Sequence, residues 1–94
     1  MLILSATLPL VRQTRSSAKR LEHDLIRAAL TEARKQFGLS TRKLSVQLHK
    51  APTFVARVER GERLLDVVEF VDICEVLGLN PSVVLSDVIA KRKD

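Results

Sequence analysis

Apolar residues recur at helical spacing in five stretches of this chain, and the stretches are punctuated by glycine or proline. Leu25, Ile26, Ala29, Leu30, Ala33 and Phe37 fall on one stripe, which predicts a first helix over residues 18–37, ended by Gly38. Ser40 and Thr41 give the next helix a polar start, and Leu44 and Leu48, four residues apart, give it one packing face. The pattern then breaks at His49, Lys50, Ala51 and Pro52. Proline disfavours helical geometry at Ala51 yet suits the first position of a helix, so a third helix is predicted from about Pro52. Phe54, Val55 and Val58 supply its apolar face, while Thr53, Ala56, Arg57 and Arg60 lie largely on other faces, and Gly61 stops it. Asp66 and Glu69 have the spacing of a capping pair for a fourth helix that runs to Leu77. Val67, Phe70, Val71, Cys74 and Leu77 would cover its inner side, with Val68 and Ile73 extending the apolar area. Gly78 closes this helix, and Asn80 with Pro81 opens a last one. There Val84, Leu85, Val88 and Ile89 give more apolar surface than a terminal helix of a small bundle needs, which marks them as a dimer interface.

Residues 39 to 63 therefore read as two short helices joined by a tight turn, with arginine concentrated on the second. That is the layout of a helix-turn-helix, whose second helix enters the major groove of DNA.

Composition narrows the fold class. The 94 residues allow one domain, and 46% hydrophobic content suffices for one modest core without metal or disulfide help. The three aromatic residues are all phenylalanine, and the β-branched residues sit mostly at helical spacing, so an all-α bundle of five helices is expected. So few aromatics also argue against stacking platforms for single-stranded nucleic acid.

Charge adds a direction. The net charge is +5, but residues 1–63 carry thirteen Lys and Arg against five Asp and Glu, whereas residues 64–94 carry three against six. The basic part contains the two-helix motif, and a basic face beside a reading helix supplies affinity for phosphates without sequence information. The single cysteine, Cys74, forms no internal disulfide and reads as a core or interface residue in a reducing cytoplasm. The N-terminal MLILSATLPLV is apolar but lacks a basic segment before it and is too short to cross a bilayer. Residues 1–17 are read as an arm, flexible or dimer-associated, ahead of a domain over residues 18–94. No membrane contact is expected.

The segment from about Leu25 to Val88 resembles the phage-repressor and Cro helix-turn-helix proteins, the XRE family. The resemblance rests on RKQFGL at Arg34–Leu39, the Leu44 and Leu48 spacing, VERGER at Val58–Arg63 and LGLNP at Leu77–Pro81. It implies a lambda-repressor-like bundle, with Arg34 in the first helix facing Glu59 near the end of the reading helix as a structural ion pair. Three positions depart from the family pattern. Ser45 stands where a small residue is usual, and His49 takes the place of a turn glycine; a left-handed histidine costs about a kcal/mol or less relative to glycine. Pro52 occupies a position where the family often reads adenine with glutamine, and it has no donor to offer. Base reading then shifts within the set Pro52, Thr53, Ala56 and Arg57, with Arg57 in the largest role because guanidinium pairs bidentately with guanine. Thr41, Arg42, Lys43, Lys50, Arg60 and Arg63 are the expected phosphate contacts, and Arg27 and Lys35 on the first helix are further candidates.

These features lead to a sequence-specific DNA-binding regulator of transcription, a repressor that occupies a palindromic operator as a homodimer. The alternative is a protein-interaction module, such as an antitoxin that neutralises a toxin partner, favoured by the apolar arm and the last helix. Enzymatic activity is not expected. His23 lies between Glu22 and Asp24, but neighbours along a helix do not face one another, and no nucleophile with a base or phosphate-cradling loop is present. No cofactor or metal is expected either.

Overall fold

Five helices follow one another in the computed structural model, which describes residues 20–92: α1 (Leu21–Phe37), α2 (Thr41–Gln47), α3 (Phe54–Glu59), α4 (Val67–Val76) and α5 (Pro81–Arg92). Among the described residues there is no strand. The expected arm, residues 1–17, lies outside the described residues, as does the predicted start of α1 at residue 18.

Each helix boundary has a local cause. Gly38 adopts φ 88°, and its amide donates to the carbonyls of Arg34 and Lys35, which ends α1 and turns the chain back. Leu39 then packs against the core, whereas Phe37 is 55% exposed, so the expected apolar stripe loses its last member to the residue beyond the glycine. Ser40 caps α2 by accepting from the Lys43 amide at 3.0 Å. Asp66 and Glu69 form the reciprocal capping box at the start of α4.

α3 begins at Phe54, two residues later than the position of Pro52 predicts. The Phe54 amide donates to the Ala51 carbonyl at 2.9 Å, so Pro52 and Thr53 belong to the turn, with Thr53 at φ −93°, ψ 0°.

The helices enclose one core. Leu30 of α1, Leu44 of α2, Phe54, Val55 and Val58 of α3, Phe70, Ile73 and Cys74 of α4, Leu77 after it, and Val84 of α5 are all buried. Helix α1 packs against α5 and α3, α2 against α3 and α4, and α4 against α5. This corrects two readings of the apolar pattern. Val67 and Val68 are exposed in the first turn of α4, while Ile73 is fully in the core, because the buried face of α4 runs through Phe70, Ile73, Cys74 and Leu77. In α5, Val84 and Val88 point into the chain's own core, leaving Leu85 and Ile89 outside. Among the described residues, no single helix is long and apolar enough to cross a membrane.

Candidate nucleic-acid interface

The junction of α2 and α3 depends on Ser45. Its side chain is completely buried; the hydroxyl donates to the Thr41 carbonyl at 2.8 Å and accepts from the Val55 amide at 2.9 Å. The first turn of any helix has amides without intrahelical partners, and here a residue of the preceding helix satisfies one of them. Thr53, in the capping position, makes no side-chain cap and stays exposed. The turn itself passes through His49 at φ 61°, a left-handed residue whose neighbour Lys50 donates its amide to the Ser45 carbonyl at 3.0 Å. Histidine therefore occupies the conformation that glycine would favour.

Helix α3 divides its residues by angle. Phe54, Val55 and Val58 are buried; Thr53, Arg57 and Arg60 are exposed, Pro52 is exposed in the turn before them, and Ala56 is half-buried between the two faces. Among the described residues Arg57 forms no ion pair; the Arg60 guanidinium, with a smaller contribution from the charge of Arg57, holds the Glu62 carboxyl below the usual carboxylate range. An outward guanidinium and an outward hydroxyl, four residues apart on one face, can both reach a groove.

Two carboxylates hold this helix. Arg34 donates to Glu59 from Nε at 2.6 Å and from Nη2 at 3.0 Å, and its Nη1 donates to the Leu39 carbonyl at 2.9 Å. Both side chains are largely buried, so the pair ties the end of α3 to α1 with fixed geometry. On the other side, Glu69 of α4 is 7% exposed and accepts from Arg63 at 2.5 and 2.9 Å, from Lys50 at 2.9 Å and from the Asp66 amide at 3.0 Å. Arg63, Lys50 and that amide hold its carboxyl at about 2, against the opposing effect of burial. Lys50 and Arg63 also lie over the Phe54 ring, 5.3 and 4.9 Å from its centroid.

The six expected phosphate contacts thus divide. Arg42 and Lys43, at the start of α2, are exposed and form no ion pair among the described residues. Thr41 is half-buried beside them. Arg60 is paired with Glu62 at the surface, and Lys50 and Arg63 share Glu69. Arg27 is bonded to Asp24, with its guanidinium beside Gly61, while Lys35 is exposed. Glu69 is the site residue that sequence reasoning missed. Its spacing from Asp66 announces a cap, but nothing in the linear order brings residues 50 and 63 to the same carboxylate.

Two of the four expected dimer residues, Val84 and Val88, are 7% and 5% exposed within one chain and have no surface to offer a partner. Leu85 and Ile89 remain exposed, as does Val83. Leu85 also lines an apolar cavity of about 170 Å³ together with Ile26, Val58, Leu64, Val67 and Phe70. Cys74 is wholly buried, and burial pushes its thiol up. No cluster of His, Cys, Asp or Glu among the described residues is arranged to hold a metal ion.

A helix-turn-helix family model matches residues 30–84. Among solved structures, the chain is similar to an XRE-family like protein from Pseudomonas syringae pv. tomato str. DC3000. Their sequences are 34% identical, with a TM-score of 0.70, over 74% of this chain and 85% of that one. It also shares its fold with the clp gene regulator ClgR from C. glutamicum, at 24% identity and a TM-score of 0.64, over 81% of this chain and 96% of that one. No curated protein matches.

Proposed function

Since the chain belongs to the XRE-type helix-turn-helix family and is a DNA-binding transcriptional regulator, we propose that it is a repressor that reads a palindromic operator as a homodimer through the major groove. The observation that carries this reading is the outward side of the reading helix, where Thr53 at the cap and Arg57 on α3 are exposed, Arg57 without an ion-pair partner among the described residues, while both ends of the helix are anchored to α1 and α4. In this reading Arg57 pairs with a guanine edge, Thr53 bonds a neighbouring base, and Ala56 offers a methyl-sized contact. Arg42 and Lys43 meet the backbone from α2, Lys50 and Arg63 from the two flanks of α3, and Thr41 and Arg60 complete the set. Pro52 sets the entry to the helix and takes no part in base hydrogen bonding.

A homodimer would use Leu85 and Ile89, and two reading helices related by a twofold axis would meet half-sites about one DNA turn apart. The protein would act in the cytoplasm, without a cofactor and without catalysis.

The test is selection from a randomised duplex pool at near-physiological salt. Enrichment of an inverted repeat is expected. A single, unrepeated half-site would remove the dimer from this reading. No enrichment by a folded protein would transfer the role to the exposed apolar surface of α5, as a module that binds another protein such as a toxin.

A further inference from the structure

The geometry points to Glu69 as a positioning residue for DNA reading: from α4, one carboxylate fastens both flanks of α3 and holds Lys50 and Arg63 in place as phosphate contacts. The inference rests on the DNA-reading function proposed above and assigns to it a residue outside the helix-turn-helix itself.

Lys50 precedes α3 and Arg63 follows it, so the two cations are separated along the chain by the whole helix. Both converge on Glu69, at 2.9 Å for Lys50 Nζ and at 2.5 and 2.9 Å for the Arg63 guanidinium. The carboxylate is itself immobilised, because it is buried and accepts the Asp66 amide in the capping box. The Phe54 ring, seated in the core, lies beneath both cations. A long basic side chain at a surface normally samples many rotamers, and ordering it on binding costs entropy. Here Lys50 and Arg63 are ordered already, yet each keeps about a third of its side chain exposed, which leaves donors for a phosphate oxygen. Arg63 has further donors beyond the two nitrogens that engage Glu69.

The charge makes the idea separable from simple electrostatics. Glu69 removes one unit of positive charge beside the proposed DNA surface, so replacing it with a neutral residue should strengthen nonspecific attraction. If Glu69 positions the contacts, the same replacement should weaken binding to the selected sequence.

The experiment compares wild type, Glu69→Gln and Glu69→Asp on the duplex enriched by selection and on a scrambled duplex of the same composition, each over a range of salt. With Glu69→Gln, binding to the scrambled duplex should tighten with a steeper salt dependence, while the selected-to-scrambled affinity ratio falls about tenfold, the scale of charge-assisted hydrogen bonds lost. Glu69→Asp keeps the charge but not the reach, so the ratio should fall without tightening on the scrambled duplex. An unchanged ratio in both variants overturns the proposal.

Amide hydrogen exchange of the free variants supplies a readout that needs no DNA. Faster exchange in α3, relative to α1 and α5, is expected; unchanged exchange in α3 overturns the clamp even if wild type reads DNA. A wild type that enriches no duplex instead overturns the DNA reading and, with it, the role of Glu69 in it.

Discussion

Arg57 and Ser45 show how differently two residues of one motif can matter. Arg57 is exposed on α3 and supports nothing in the core, so Arg57→Ala should leave folding stability within about 0.5 kcal/mol of wild type. On a selected duplex the same change should cost about 1–3 kcal/mol and relax the preference at one base pair. Fluorescence anisotropy on selected and scrambled duplexes checks this, and equal losses on both would remove Arg57 from base reading. Ser45 is the reverse case. Its buried hydroxyl bonds Thr41 and receives the Val55 amide, so Ser45→Ala leaves that amide without its partner. Urea unfolding should show a loss of about 1–3 kcal/mol. The small size of Ser45 is legible in the sequence, but its hydrogen bond to an amide ten residues on is not, because that bond exists only after α2 and α3 have packed.

At the scale of the element, the reading helix is the instructive piece. Six residues are too few to be a stable helix in isolation, so α3 owes its existence to its packing and anchors. The Arg34–Glu59 pair is one anchor. Arg34→Ala should destabilise by about 3 kcal/mol, since it strands a largely buried carboxylate. A double replacement with Arg34→Met and Glu59→Leu should recover most of that loss, because well-packed apolar residues can substitute for a buried pair in stability. It should not recover discrimination between duplexes, which depends on how the helix is oriented. Thermal unfolding with parallel binding titrations separates the two outcomes; recovered discrimination would show that the pair does not orient α3. The extent of α3 also shows where linear reading stops. Pro52 is acceptable as a first helical residue, yet the Phe54-to-Ala51 hydrogen bond places it in the turn.

For the whole molecule, Glu69 links stability to pH. Its carboxyl titrates at about 2 in the folded chain, against an ordinary 4.5. A lowered folded value contributes stability that is complete above 4.5 and lost as pH falls toward 2. The difference corresponds to roughly 3 kcal/mol. Urea midpoints for wild type should therefore drop on acidification across that window, and Glu69→Gln should flatten the drop. An identical acid dependence in the variant would mean that Glu69 is not the group responsible.

The sequence by itself determined the number of helices, their order and most of their ends, because periodicity, glycine stops and caps act within a few residues of the positions they specify. It also marked Arg57 and Thr53 as outward on α3, since Phe54, Val55 and Val58 claim the opposite face. Tertiary structure decided which of two adjacent apolar positions turns inward. Val84 and Val88 went to the core while Leu85 and Ile89 did not, and Ile73 displaced Val67 and Val68, because the available core lies on one side of each helix. It also decided that Lys50 and Arg63 share Glu69. Charge pairing across separate elements follows from how helices pack, and the linear spacing of residues 50, 63 and 69 carries no trace of it.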